Sequence, residues 1–372
     1  MIPFKTTTLD KMGMVDCDKP LAFDTETIGL YGKIRLAQFY QEDWDSVLLV
    51  NNPDPMLLAT FLNKHKVVMH NAHYDITCIQ AATESRYEPK DYEDTFLLAR
   101  LKFYNKEKFA LDDVMGYVLG YAPYAKAGID KKTMQKASWD LLAIPQKQLE
   151  YAAIDVYYLL DVYNAVKDKS DTTSYNLDMK TLSYCLDFQN NGMPVLDELL
   201  QQRYAENIAE VESYALPINV NSYQQVRPYI GSDQSDDLGL ATLAIKGNIK
   251  ANNVRVVRKL LKQNSFLNKF DTMLGSIYGK FKPSARSGRL TSNDQNLQQI
   301  PRKTNGLFGY TTEEGKVLVY ADYAQLEMRC ICAITGELKM DGLLRAGEDL
   351  HDFTAKMLFG DNFTPEQRQV AK

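Results

Sequence analysis

A chain of 372 residues, 45% hydrophobic and 24% charged, has the composition of a folded protein of two to three domains at about 150 residues each. With 23 Tyr and 15 Phe available to fill cores, it is not a disordered chain, and no apolar run reaches the roughly 18 residues of a membrane-spanning helix. The first twenty residues scatter Lys and Asp among apolar positions without a signal-peptide core, so a cytoplasmic protein with no membrane partner is expected. Five cysteines with no Cys-x-x-Cys pair describe neither a disulfide scaffold nor structural zinc, and Cys330 and Cys332 are expected as buried thiols.

The net charge of −5 is unevenly spread. Residues 245–305 carry thirteen Lys and Arg against Asp271 and Asp294, a local +11 inside an otherwise acidic chain. A polyanion-binding groove and a charged helical face both produce such a belt, and charge alone does not separate them.

Residues 1–168 read as an α/β unit. Short strands are expected at Leu21–Glu26, Ile34–Tyr40, Ser46–Val50 and Lys66–Met69, and helices at Thr95–Leu101, Leu111–Leu119 and Gln146–Lys167. A polar run from Lys167 to Ser174 reads as a linker. Residues 175–285 read as mainly helical. One helix stops at Asn190-Asn191-Gly192; a second starts at Asp197, puts Leu200, Tyr204, Ile208, Val211 and Ala215 on one face and stops before Pro217; a third spans Val254 to Met273. Lys316 to Asp322 reads as a strand ending in a carboxylate, with helix-like segments after it.

Acidic residues recur at the ends of these elements. Asp24 and Glu26 are two apart on a strand and share a face, and Tyr151 and Asp155 are four apart on a helix and share a face. Between them lies Asn71-Ala-His-Tyr-Asp75, where a strand gives way to a helix. Buried carboxylates are costly unless paired or bound to cations. Four together could hold two hard divalent ions, Mg²⁺ or Mn²⁺, about 3.5–4 Å apart, an arrangement suited to displacement at a phosphodiester. Asp94 before Thr95 reads as a helix cap rather than a fifth ligand. His65, His70 and His73 lack a zinc-binding partner set and read as ordinary surface or supporting histidines.

Phe23-Asp-Thr-Glu-Thr27, Asn71-x-x-x-Asp75 and Tyr151-x-x-x-Asp155 resemble the three motifs of the proofreading 3′–5′ exonucleases that carry a Tyr in the third. The resemblance implies a ribonuclease H-like fold, two metal ions on Asp24, Glu26, Asp75 and Asp155, a water oriented by Tyr151, and Asn71 against DNA. Further on, Ser287-Gly-Arg-Leu-Thr-Ser292 with Asn296-Leu-Gln-Gln-Ile-Pro301 resembles the template-primer segment of family A DNA polymerases. Asp322-Tyr-Ala-Gln-Leu-Glu-Met-Arg329 resembles that family's motif A, Asp349-Leu-His351 the approach to the fingers, and Arg368-Gln-Val-Ala-Lys372 the opening of motif B. Ser287, Gln295, Gln299 and Ala324 depart from its usual residues.

For the polymerase site this implies Asp322 as a catalytic metal ligand and Glu327 packed where a ribose 2′-hydroxyl would sit. Gln325, His351, Arg368 and Lys372 would face a deoxynucleoside triphosphate, and Arg289, Asn296, Gln298 and Arg329 a primer-template duplex. The implied organisation is an exonuclease domain (1–168), a helical thumb (169–285), the first part of an α+β palm (286–336) and the start of the fingers (337–372). Motif B breaks off at Lys372, and the later motif with the second polymerase carboxylate has no counterpart. The expectation is therefore an N-terminal fragment or split-gene subunit of phage or replicative type without a 5′-nuclease, completed by a second chain. It would carry a full exonuclease on single-stranded 3′ ends and an incomplete polymerase. A stand-alone exonuclease with a DNA-holding second half, and a non-enzymatic nucleic-acid-binding protein, are the alternatives.

Overall fold

The computed structural model describes residues 2–13, 15–168, 172–268, 275–285, 287–300, 306–309 and 315–371, which form two compact units, 1–311 and 312–372. The first is built on a six-stranded sheet: β1 (Phe4–Thr7), β2 (Leu21–Ile28), β3 (Lys33–Gln41), β4 (Val47–Asn51), β5 (Val67–Met69) and β6 (Tyr92–Asp94), in the spatial order β1-β4-β3-β2-β5-β6. Strands β2, β3 and β4 form an antiparallel meander, while β5 joins β2, β6 joins β5 and β1 joins β4 in parallel. Counted from β2, the order is 3-2-1-4-5, the ribonuclease H-like arrangement. It puts β2 centrally, with both edges paired. Central position explains why Leu21, Ala22 and Phe23 are fully buried, while Asp24 and Glu26 emerge only partly, on the face opposite Thr25 and Thr27.

Helices cover both faces: α1 (Pro55–Leu62), α2 (His73–Thr83), α3 (Thr95–Lys102), α4 (Leu111–Leu119), the short α5 (Pro123–Lys126) and α6 (Lys131–Gln135), α7 (Gln146–Tyr157) and α8 (Leu159–Val166). The expected single helix from Gln146 to Lys167 is thus broken at Tyr158. The break lets α7 lie on β2, β3 and β4, with Tyr157 against Tyr40 (ring centroids 4.9 Å), while α8 turns away to pack on α3, α4 and β5. One straight rod could not serve both surfaces. The sheet and these helices share one apolar core, which the next helix, α9 (Thr172–Asn191), joins through Tyr175, Leu182 and Leu186. The linker read at 167–174 therefore gives way to helix by Thr172, and residues 169–171 lie outside the described set.

Helix α9 ends at Gly192, whose φ of +69° is left-handed and whose absent Cβ would stand 2.8 Å from the Tyr278 ring. Gly192→Ala is expected to cost about 2–3 kcal/mol, readable in a urea melt, because strain and overlap add there. Beyond it come β7 (Met193–Pro194), α10 (Asp197–Ser213), α11 (Tyr223–Ile230), α12 (Asp237–Ile245) and α13 (Ile249–Leu267). Helix α13 starts earlier than expected because the Asn248 side chain caps it, accepting from Ala251 N; the predicted end at Met273 lies outside the described residues. On α10, Leu200 and Asn207 are the buried positions and Ala215 lies beyond the helix, exposed, so the expected apolar face is shorter and partly polar: Asn207 donates to Asn264 Oδ1 of α13 at 2.8 Å. Strand β8 (Ser276–Ile277) pairs with β7, and β9 (Lys280–Lys282) with β10 (Thr291–Asn293) forms a hairpin packed on α9.

The second unit holds α14 (Leu326–Thr335), α15 (Leu338–Arg345), α16 (Leu350–Phe359) and α17 (Pro365–Ala371). The strand expected over Lys316–Asp322 is absent: the segment is exposed coil, because no described strand offers its backbone a ladder partner. Cys332 is buried as expected, but Cys330 is exposed; on a helix, two residues apart means opposite faces, not one. Among the described residues no helix is long and apolar enough to cross a membrane.

Candidate active site

Strand β2 delivers Asp24 and Glu26 to one face of the sheet, and α7, lying on that face, delivers Tyr151 and Asp155. One carboxylate oxygen each from Asp24, Glu26 and Asp155 lie within 4.8 Å of one another. A register shift between Glu26 and Thr27 interrupts the β2–β3 ladder beside them, and such bulges bend a strand and re-aim its side chains. Asp75, in the first turn of α2, lines the same cavity of about 570 Å³, but its Oδ1 accepts from the Thr25 hydroxyl at 2.7 Å and it stands outside the close trio.

The site is electrostatically costly as it stands. Burial, and then repulsion by Asp75, Asp155 and Glu26, pushes the Asp24 carboxyl well above its usual range; burial, then Asp155 and Asp75, does the same to Glu26. Burial raises Asp75 to about 7 and Asp155 to about 6, with the Thr25 and Tyr124 hydroxyls pulling the other way. Asp155 Oδ2 is buried with no hydrogen-bond partner among the described residues. Oxygen donors, mutual repulsion and an orphaned carboxylate oxygen together fit hard divalent cations.

Asp94 is the cap that the sequence implied and more. Fully buried at the start of α3, it accepts from Phe96 N at 2.8 Å, and across the sheet end from Asn71 N at 2.9 Å and Ala72 N at 3.0 Å. Asn71, at a left-handed φ of +64°, is thereby locked in the turn that starts α2 and places Asp75. Of the surface and supporting readings of His65, His70 and His73, the structure favours the supporting one, since none of the three is exposed. His65, in the turn from α1 to β5, and His73, at the start of α2, are buried, and His70, in the turn from β5 to α2, bridges Thr95 Oγ1 and Phe109 O, each at 2.9 Å. Burial holds both His70 and His73 down at about 4, neutral at physiological pH.

Several residues in or beside the cavity had no role assigned from the sequence. Tyr124 donates to Asp155 Oδ1; Lys131 and Lys282 bring positive charge to the lining; Thr25 and Tyr74, inside the motifs, line it too. Thr25 was visible between the two acids. Tyr124 and Lys131 belong to short helices with no periodicity to announce them, and Lys282 comes from β9, more than 120 residues beyond the last exonuclease motif.

The other predicted residues fall in two separate places. In the first unit, Arg289 is exposed, Asn296 caps the turn over Leu297–Gln299, and Gln298 donates to Leu290 O at 3.0 Å. Of the belt's cations, Arg255 pairs with Asp237, Arg258 donates to the Val220 and Ser235 carbonyls, and Lys280 pairs with Asp294, so part of the +11 is spent on structure. In the second unit, Asp322 and Glu327 are exposed, and Gln325 binds Glu348 O and Leu350 N. Arg329 donates to the Ala324 and Leu344 carbonyls, and Arg368 pairs with Asp349 and Asp352 beside His351. Lys372 lies outside the described residues.

Comparison with known proteins matches the chain to two family models. The family model for 3′–5′ exonuclease matches residues 7–171, and that for DNA polymerase family A matches residues 190–372. DNA polymerase I of Aquifex aeolicus is 26% identical over 95% of this chain and 67% of its own length. The thermostable DNA polymerase I of Thermus filiformis is 35% identical over 26% of this chain and 13% of its own. The solved POL domain of Pol1 from M. smegmatis, in complex with DNA primer-template and dNTP, shares the fold over 94% of this chain and 66% of that one, with a TM-score of 0.66 at 20% identity. The expected second polypeptide finds no support in these comparisons. The chain belongs to DNA polymerase family A, with a 3′–5′ exonuclease domain of ribonuclease H-like fold ahead of a mostly helical polymerase region.

Proposed function

We propose that residues 1–168 form a metal-dependent 3′–5′ exonuclease that removes nucleotides from a single-stranded DNA end. The observation that carries this reading is the convergence of Asp24, Glu26 and Asp155, with Asp75 and Tyr151 in the same cavity. The four carboxylates would hold two Mg²⁺ or Mn²⁺ ions, which supply, when bound, charge stabilisation at the attacking and leaving oxygens. Tyr151, its hydroxyl kept protonated by burial and by the neighbouring acids, orients the attacking water. Asn71, Lys131 and Lys282 line the cavity where the strand's polar and phosphate groups would lie.

Residues 169–285 serve as thumb, 286–336 as the first part of the palm and 337–372 as the start of the fingers. In the polymerase reaction Asp322 would hold the catalytic metal and Glu327 would reject a ribose. Gln325, His351, Arg368 and Lys372 would meet the triphosphate, and Arg289, Asn296, Gln298 and Arg329 the duplex. The family match over 190–372 and the basic belt at 245–305 support this half.

The test is a 5′-labelled single-stranded oligonucleotide incubated with the purified chain. A ladder of products shortened from the 3′ end with Mg²⁺, and none with EDTA, is expected; an intact oligonucleotide under Mg²⁺ and Mn²⁺ alike would overturn the exonuclease reading. Primer extension is scored separately, on a primed template with deoxynucleoside triphosphates.

A further inference from the structure

Residues 120–130 carry no motif, yet they place a second phenol in the site. Tyr124 sits on α5, which Pro123 opens with a fixed φ, and its carbonyl accepts from Ala127 N at 3.1 Å and Ile129 N at 2.9 Å, so the turn that follows holds its backbone. The side chain is 3% exposed. One face of its ring lies against Tyr151 (centroids 5.6 Å apart, planes at 32°), and the Lys131 ammonium stands 5.2 Å from the ring centre, itself paired with Asp112 Oδ1 at 2.6 Å. A buried phenol hydroxyl must find an acceptor, and the one supplied is Asp155 Oδ1. Tyr151, one helical turn before Asp155, also helps to keep this carboxylate ionised, while Oδ2 is buried with no hydrogen-bond partner among the described residues.

We infer that Tyr124 is a positioning residue of the exonuclease site: its hydroxyl fixes the rotation of the Asp155 carboxylate, presenting a single oxygen to a divalent cation shared with Asp24 and Glu26. The inference rests on the exonuclease reading above. A phenol suits the task because it is a neutral donor; a Lys or Arg in its place would put positive charge where a cation must bind. It also divides the labour between two tyrosines one residue type could not distinguish in sequence. Tyr124, wholly interior, holds the carboxylate from behind, and Tyr151, which lines the cavity, is placed to orient water. The chain Asp112–Lys131–Tyr124–Asp155 thereby ties α4, α5 and α6 to the position of one ligand on α7.

The experiment compares the full chain with Tyr124→Phe, which keeps the ring and removes the hydroxyl. Mn²⁺ binding is followed by electron paramagnetic resonance, exonuclease kinetics on a single-stranded oligonucleotide, and melting in EDTA. Mn²⁺ affinity and kcat are each expected to fall roughly tenfold, the size typical of losing a partner behind a metal ligand, with KM for the oligonucleotide and the metal-free melting temperature unchanged. A general packing role for Tyr124 would instead lower the metal-free melting temperature and leave the Mn²⁺ affinity of the folded protein intact. Mn²⁺ affinity of Tyr124→Phe equal to that of the parent chain overturns the inference, whatever kcat does. If Tyr124→Phe melts early in EDTA, difluorotyrosine at position 124 replaces it: the same shape with a stronger donor must shift Mn²⁺ affinity, and an unshifted value again overturns the inference. A parent chain that neither binds Mn²⁺ nor degrades DNA would instead remove the exonuclease reading itself.

Discussion

Asp24→Ala is expected to abolish degradation of single-stranded DNA, lowering kcat by at least about 10³-fold, or about 4 kcal/mol of transition-state stabilisation. The same substitution is expected to make the metal-free protein melt at a higher temperature at pH 7.5. The two effects have one origin. Asp24 is crowded by Asp75, Asp155 and Glu26 in a site that burial already makes hostile to charge, so without cations its ionised form is a liability. The sign follows from linkage. A carboxyl whose folded pKa is raised binds protons more tightly in the folded state, so its contribution is greatest below the unfolded value near 3.8 and is lost as pH rises through the folded value. With Asp155 at about 6 and Asp75 at about 7, the metal-free fold loses stability between about pH 4 and pH 7. The advantage of Asp24→Ala in melting temperature should therefore shrink towards pH 5, and Mg²⁺ should reverse it at pH 7.5 by stabilising only the parent chain. Melting curves at two pH values, with and without Mg²⁺, check each sign.

Asp94→Ala is expected to do the opposite to stability, costing about 4 kcal/mol in a urea melt, because it strands three backbone N–H groups at once, and a buried unpaired donor costs about 1–3 kcal/mol. The donors are those of Asn71, Ala72 and Phe96. Asp94→Asn keeps one acceptor oxygen but turns an amide N–H₂ towards a donor, so about half the loss should remain. Since Asn71 and Ala72 form the turn ahead of α2, exonuclease activity should fall with Asp75 displaced, even at temperatures where the variant is folded. A variant as stable as the parent chain would mean the three donors find other acceptors.

Much of the site was legible because strand and helix periods are local. Asp24 and Glu26 share a face by the two-residue period of β2, and Tyr151 and Asp155 by the turn of α7. What the sequence could not express was which elements face each other across long separations. Lys282 reaches the exonuclease cavity because the β9–β10 hairpin packs on α9, and nothing near Lys282 in the chain mentions β2. Tyr124 was silent because a four-residue helix has no periodicity to read. The difference at Lys316–Asp322 has a related cause: a short run of apolar residues rich in Val and Tyr states a willingness to be a strand, but a ladder partner must be present to satisfy the backbone. The histidines stay open between surface and supporting roles in the sequence because nothing local shows the turns that press His65, His70 and His73 towards the core.

The most direct measurement is anomalous diffraction from crystals of the chain soaked in Mn²⁺. The account predicts two peaks in the cavity between β2 and α7, with oxygens of Asp24, Glu26, Asp75 and Asp155 at about 2.0–2.3 Å from one or other of them. No peak there, or ions held only by other side chains while these four carboxylates stay unligated, would contradict it.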